Sequence, residues 1–163
     1  MSVYVGKYHS DFEREVFRAE FEDNKTPLDI RHDLATHSDE FNWGYGGSGP
    51  AQLALALLAD VVGDEKAQLF YQDFKFQVVA NWKGDSGWHI TDAAIREKVR
   101  EIEVNRILVE ARRLKRESKQ LSELLQSNLN VAQWPSIEKR LGVLLEKFDE
   151  SIDRKVTLFL NGS

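Results

Sequence analysis

Residues 41–62 of the chain read FNWGYGGSGPAQLALALLADVV. Four of the six residues at positions 44–49 are glycine. This stretch leads directly into a segment that is almost wholly apolar. A long apolar segment rich in Ala and Leu, with Pro50 in its first turn, predicts a helix that is buried on most sides. We therefore expect residues 50–62 to form the central helix of the protein.

The segments that flank this helix predict a second helix and a small sheet. Gly63 ends the first helix and Asp64 caps the second, whose apolar residues recur at helical spacing: Ala67, Phe70, Tyr71, Phe74, Val78 and Val79. Residues 3–5, 15–21 and 26–31 are β-prone or extended and are separated by polar turns. The front third of the chain is thus predicted to be a small antiparallel sheet.

The C-terminal part predicts two long helices. Thr91 or Asp92 caps the first, which runs to about residue 127 and has a heptad-like seam: Ile107, Ala111, Leu114, Ser118, Leu121 and Leu125. Residues 128–130 and 134–135 make the turn. Ser136 caps the return helix, whose apolar stripe is Ile137, Leu141, Leu144, Phe148, Ile152 and Val156.

The predicted fold class is therefore α+β, with a small antiparallel sheet and a buried helix pair followed by a long C-terminal antiparallel helical hairpin. The predicted domains are a glycine-loop domain, 1–91, and a helical hairpin for interaction or oligomerisation, 92–163. Charge supports this division, because residues 1–92 contain 8 Lys and Arg against 16 Asp and Glu, whereas residues 93–163 contain 14 against 11.

Composition indicates one globular domain with an appendage. The chain has 163 residues, 42% of them hydrophobic and 30% charged. It contains no Cys, so it has neither disulfides nor a thiolate site, which fits a reducing compartment. The N-terminal residues do not resemble a signal peptide, and residues 51–62 are too short to span a bilayer. We expect a cytoplasmic protein without membrane contact.

The glycine loop is the candidate ligand site. Gly44, Gly46 and Gly49 match the spacing G-x-G-x-x-G, but a helix follows where a dinucleotide fold needs a parallel strand, and no Gly-Lys-Ser/Thr follows either. One interpretation is an anion or nucleotide site made of loop N–H groups and the helix dipole. The other is a tight corner in which glycine permits positive φ and the aromatic residues pack over the helix.

Under the first interpretation, each residue of the loop has a role. Trp43 and Tyr45 offer stacking surfaces, and the loop backbone at Gly46, Gly47 and Gly49 faces the ligand. Ser48 caps the helix or bonds a ligand oxygen, and Arg31 or Lys75 supplies a counter-charge. The candidate ligand-binding residues are Arg31, Trp43, Tyr45, Gly46, Gly47, Ser48, Gly49 and Lys75.

No residue pattern in the sequence supports a catalytic site or a metal site. His32 and His37 are near each other but lack the spacing of a metal pair on one helix face, and no carboxylate pair stands out. We therefore name no catalytic residue, metal ligand or cofactor, and we favour a protein that is not an enzyme.

Residues 112–119 carry five cations in eight positions. Such a run is typical of a solvated helix face. The alternative, functional interpretation is a surface that contacts phosphate or an acidic protein. The acidic front part of the chain argues against binding to duplex nucleic acid.

The motif Trp-Gly-Tyr-Gly-Gly-Ser-Gly-Pro-Ala at residues 43–51, with Ala67, Tyr71 and Phe74, resembles a family of unknown function found in bacteria, archaea, phages and plasmids. The resemblance covers roughly residues 4–95 and includes residues 28–31. It implies a setting in mobile elements, whose small proteins bind host factors, nucleic acids or nucleotide signals.

Three functions follow as hypotheses. The first is a non-enzymatic binding module that holds or sequesters a phosphate-bearing nucleotide of host defence at the glycine loop. The second is a protein-interaction or inhibitor module, directed at a host protein, that uses the hairpin. The third is a small hydrolase or transferase with His32 or His37 as base.

We also expect a homodimer or a higher even-numbered oligomer. The predicted hairpin is longer than the front core can cover, so part of its apolar stripe should be shared between copies. Leu114, Leu121 and Leu125 are the predicted seam of that interface.

Overall fold

The computed structural model describes residues 2–10, 13–20, 24–126 and 134–160, without the side chains of residues 125, 126, 148 and 151–160. It divides into two compact units, residues 1–102 and 103–163. The domain boundary predicted at residue 91 stays a prediction. In the described residues, no helix is both long and apolar enough to cross a membrane.

The first unit contains a four-stranded sheet. Its strands are β1 (Val3–Ser10), β2 (Glu13–Glu20), β3 (Asn24–Pro27) and β4 (Trp88–Thr91), and their order in the sheet is β3-β2-β1-β4. All three pairings are antiparallel. The predicted antiparallel sheet of the front third is confirmed, with β1 longer than the β-prone segment at residues 3–5.

Strand β4 was not predicted. It has only four residues and lies between a turn and a helix cap, so no alternation of apolar and polar residues identifies it. Its pairing with β1 places Trp88 opposite Gly6, and a Cβ on Gly6 would overlap the Trp88 indole ring. A glycine far away in the sequence therefore makes room for this strand.

Two helices cover the sheet unit. Helix α1 (Ser48–Val62) is buried over almost its whole length, and α2 (Asp64–Gln77) buries a stripe that includes Phe70 and Phe74. Gly63 separates them with a φ of +86°. The predicted buried helix pair is confirmed, although α1 begins two residues before Pro50.

Two long helices follow β4. Helix α3 (Asp92–Gln126) is capped as expected, because the Thr91 hydroxyl accepts a hydrogen bond from the Ala94 N–H at 3.1 Å. Its first apolar residues belong to the core of the first unit: Ile95, Val99 and Ile102. Helix α4 (Trp134–Leu160) begins before Ser136, so the predicted cap at Ser136 is wrong. Pro135 occupies the first turn instead, a position that suits its fixed φ.

The fold is α+β, as predicted from the sequence. The core of the first unit joins the sheet to α1, α2 and the start of α3 through large side chains that include Tyr4, Trp43, Leu53, Leu57, Phe74 and Trp88. In the second unit, Leu114 and Leu121 of α3 and Ile137 of α4 are buried. The helical periodicity of the sequence therefore located two buried positions of α3. In α4, Ile137 of the predicted stripe is buried, whereas Leu141 is 37% exposed.

Candidate functional site

The glycine loop, residues 44–49, is pressed against the segment before β4. Gly44 has a φ of +83° and donates a hydrogen bond from its N–H to the Val79 carbonyl at 3.1 Å. A Cβ on Gly44 would lie 2.6 Å from the Gly84 Cα. Gly44 is thus required both by its backbone conformation and by a close approach of two chain segments.

Side chains of the protein itself also lie close to the other three glycines of the loop. The Tyr45 ring occupies the space into which a Cβ on Gly47 would project. A Cβ on Gly49 would lie 2.6 Å from the Asn42 Cβ, and one on Gly46 would lie 3.1 Å from the Phe76 ring. Internal packing therefore accounts for Gly46, Gly47 and Gly49, and it favours the structural interpretation of the loop.

Trp43 does not offer a stacking surface. Its side chain is only 1% exposed, and its indole N–H donates to the Ser86 carbonyl at 3.0 Å. Trp88 meets it edge to face and stacks on Trp82 with ring centroids 4.1 Å apart. The expectation that Trp43 stacks on a ligand is wrong, because this ring is a core residue. Tyr45 is 47% exposed and retains a free face.

Ser48 does not cap α1. The N-cap residue is Gly47, and no side chain hydrogen-bonds to the first turn at the cap. The Ser48 side chain is exposed, so a bond to a ligand oxygen stays a prediction.

Arg31 is engaged by carboxylates. Its guanidinium lies 2.9 Å from Asp33 and 2.9 Å from Asp64, which begins α2. Hydrogen bonds to Asp33 and then to Asp64 raise the pKa of Arg31 above its ordinary value. The residue shares a small pocket with Ala56, which lies about 12 Å along α1 from Ser48 at 1.5 Å per residue. Arg31 is therefore not the counter-charge of the loop.

Lys75 is the second residue that the sequence offered as a counter-charge. Its side chain is only 6% exposed, and its Nζ lies 4.0 Å from the centroid of the Phe76 ring. A Cβ on Gly46 would lie 3.1 Å from the same ring. The role of Lys75 as a counter-charge of the loop stays a prediction.

Gln52 is a structural residue that the sequence analysis did not single out. It is fully buried in α1 and makes four hydrogen bonds to the backbone of residues 30–38. Its amide nitrogen donates to the carbonyls of Ile30 and Ala35, and its oxygen accepts from His37 and Ser38. A single amide in an otherwise apolar helix was the signal available in the sequence.

The histidines are engaged outside the loop. His32 Nε2 lies 3.0 Å from the Ser38 carbonyl, and the His37 ring stacks on Tyr71 with centroids 5.0 Å apart. In the described part of the chain, no group of three or more His, Asp or Glu side chains could hold a metal ion.

A polar cluster joins the sheet to the end of α1. The Tyr4 hydroxyl donates to Asp60, and the Arg18 guanidinium lies 3.2 Å from both oxygens of the same carboxylate. Burial, followed by the hydrogen bond to Asp60, raises the pKa of Tyr4 above its ordinary value. The same carboxylate raises the pKa of Arg18.

Open grooves lie between α3 and α4 among the described residues of the second unit, and two of them concern the function. The apolar groove, about 720 Å³ in volume, is lined by Ala111, Leu114, Lys115, Ser118, Leu121, Ser122, Leu141, Leu144 and Leu145. The basic groove, about 340 Å³, is lined by Arg113, Glu117, Lys139, Arg140, Val143, Leu144 and Lys147. Leu144 contributes to both and separates them.

The predicted oligomer seam needs a correction. Leu114 and Leu121 are 3% and 1% exposed within a single chain, so their side chains are already covered. Leu125 lies in α3, but its side chain is outside the described residues. An interface between copies would therefore need residues that are exposed in the single chain.

These features define an α+β protein with an internally packed glycine loop and a C-terminal pair of long helices with open grooves. The chain belongs to a family of unknown function, DUF6166, whose model matches residues 6–101. The resemblance found at the glycine motif is thereby confirmed as to family. No curated protein and no solved structure matches the chain.

Proposed function

We propose that the protein is a non-enzymatic interaction module that self-associates through the apolar groove of its second unit. The observation that supports this proposal is a large groove between two helices with apolar walls. Leu145 on its α4 wall is 59% exposed, and Leu141 is 37% exposed. Apolar side chains left open along a groove gain free energy when another helix covers them.

The α3 wall of the groove is suited to close approach by a helix. Ala111, Ser118 and Ser122 line it, and their small side chains leave room for a neighbouring backbone. A pair of helices with one open apolar face is completed most simply by a second pair, which gives a four-helix bundle.

The two edges of the groove carry opposite charge. Residues three or four apart share a helix face, so Arg112 and Lys119 continue the row of Lys115 on α3. On α4, Glu138 and Asp149 continue the row of Leu141 and Leu145 in the same way. One edge is therefore basic and the other acidic.

This arrangement is complementary to itself. A two-fold axis parallel to the helices places α3 of one copy against α4 of the other, so each basic edge meets an acidic edge. An axis across the helices would place the two basic edges together, and like charges repel. We therefore propose a homodimer with α3 packed on α4 of the second copy.

Light scattering on the full chain tests the proposal. We expect a molar mass of twice 18.8 kDa at tens of micromolar. Leu145→Glu should give a monomer, because an unpaired charge in an apolar interface costs several kcal/mol, on the order of the desolvation of an ion. Leu145 is largely exposed within one chain, so the variant should keep its helical circular dichroism.

Leu69→Glu is the matched control, because Leu69 is 54% exposed on α2 in the first unit. This variant should remain a dimer. A wild-type mass of 18.8 kDa at every concentration, or equal dissociation of both variants, contradicts the proposal.

A phosphate-bearing ligand at the glycine loop, such as a nucleotide of host defence, is the second candidate function. Lys75, held against Phe76 beside Gly46, favours it. Nucleotides at millimolar concentration should then raise the melting temperature of the wild type but not of Lys75→Gln. No stabilisation by any nucleotide, or equal stabilisation of the variant, contradicts this second function.

A further inference from the structure

The basic groove of the second unit has an excess of positive charge that its own carboxylates do not balance. Arg113 is engaged, since its Nε lies 3.4 Å from Glu117 and its Nη1 lies 3.9 Å from Glu110. Lys139, Arg140 and Lys147 form no ion pair in the part of the chain that the structure describes.

The cations of the basic groove differ from two arginines of the first unit in their ion pairing. There, Arg18 and Arg31 each contact two carboxylates. In the groove, three cations lie on one wall, and α4 carries them within about 12 Å at 1.5 Å per residue. Like charges this close repel one another, so an anion between them stabilises the groove.

We propose that the basic groove binds a short polyphosphate chain, either free or carried by a nucleotide. Arg140 can hold two phosphate oxygens in a bidentate contact, and Lys139 and Lys147 supply mobile point charges. The groove volume of about 340 Å³ falls within the range of small-molecule sites.

The apolar residues that line the basic groove favour a small ligand over a protein. Val143 and Leu144 form an apolar wall on which the base of a nucleotide can lie. An acidic protein helix would need a longer row of apolar contacts to dock, and among the described residues Val143 and Leu144 are the apolar side chains of this lining. A glutamate-rich peptide is therefore a control ligand.

Calorimetric titration of the full chain tests the site with inorganic tripolyphosphate and with ATP. We expect both to bind, with affinity that falls as salt is raised, because mobile ions screen exposed charges. ATP binding tighter than tripolyphosphate assigns the nucleotide as ligand, whereas equal affinity assigns the free phosphate chain. Either result supports the site.

The triple variant Lys139→Gln, Arg140→Gln, Lys147→Gln should bind tripolyphosphate at least roughly tenfold more weakly, since it removes three charge-assisted contacts. The matched control is Lys83→Gln, Arg96→Gln, Arg100→Gln, which changes the net charge equally within the first unit. The control should bind within about twofold of wild type if local contacts dominate over net charge. Circular dichroism confirms that both variants are folded.

Three results overturn the proposal: no binding of either phosphate ligand at millimolar concentration, an equal loss in both triple variants, or binding of the peptide alone. The site is distinct from the proposed dimer interface, because the basic and apolar grooves lie on opposite sides of Leu144. Binding should therefore persist in the monomeric Leu145→Glu variant.

Discussion

Leu57 in α1 and Leu145 in α4 are the same residue type in two helices of one chain, yet their surroundings are opposite. Leu57 is completely enclosed in the first unit, whereas Leu145 leaves more than half of its side chain open in a groove. Charged groups show the same contrast, because Arg31 contacts two carboxylates while Lys139 and Lys147 contact none in the described residues. Leu57 and Arg31 are thus enclosed or paired within the first unit, whereas Leu145, Lys139 and Lys147 of the second unit are open to solvent.

The largest effect should come from truncating Leu57, and the same change at Leu145 should have almost none. Leu57→Ala should lower the free energy of unfolding by roughly 2–5 kcal/mol, because it leaves a cavity in a close-packed core. Leu145→Ala at low protein concentration should change it by less than about 0.5 kcal/mol, as for other surface substitutions. Urea titration followed by circular dichroism measures both. Comparable losses would mean that α4 is as well enclosed as α1.

Gly44 and Gly63 both have positive φ, so replacing each by Ala distinguishes the cost of backbone strain from the cost of a steric clash. Gly63→Ala should cost about 1–3 kcal/mol, because its Cβ meets no atom within 4 Å and only the backbone conformation is unfavourable. Gly44→Ala adds a collision with the Gly84 backbone and should cost at least about 1 kcal/mol more, as overpacking does. The difference between the two melting curves is the observable. Equal shifts would show that the loop is not pressed against residues 82–84.

A smaller effect concerns pH. The pKa of Tyr4 is raised in the folded state, so the folded protein holds this proton more tightly than the unfolded chain, whose value is about 10. This contribution to stability is complete below pH about 10 and is lost as the pH rises toward the folded pKa. Above pH 10, the melting temperature of the wild type should fall more steeply with pH than that of Tyr4→Phe. Parallel declines would contradict the role of the Tyr4 to Asp60 bond.

The sequence predicted those parts of the fold that periodic patterns specify. The apolar run of α1 and the spacing of Leu114 and Leu121 identified buried helix faces, because helical periodicity is a local property. It did not predict β4, which exists only through pairing with β1 across a long stretch of chain. Nothing in the local sequence indicated that Gly6 leaves space for the Trp88 ring and so allows Trp88–Thr91 to pair as a strand.

The ligand site at the glycine loop stays a prediction. The motif indicated where glycines are needed, and Lys75 packs on Phe76. The roles of Trp43 and Arg31 were assigned wrongly, because burial and ion pairing depend on residues remote in sequence, Ser86 and Asp64 among them. The basic run at residues 112–119 drew attention to α3, whereas the uncompensated cations of the groove lie on α4.

The most direct test of the proposed assembly uses cross-linking between chains. The protein contains no Cys, so Lys115→Cys and Asp149→Cys each introduce one thiol, and the two variants can be prepared with tags of different mass. A mixture treated with a short bismaleimide should give the mixed dimer as the main product, because the proposed packing places Lys115 of one copy near Asp149 of the other. Lys115→Cys alone should cross-link no more than Lys83→Cys, which lies in the first unit. Strong cross-linking of Lys115→Cys to itself, or no mixed product above that background, would contradict the packing of α3 on α4 of a second copy.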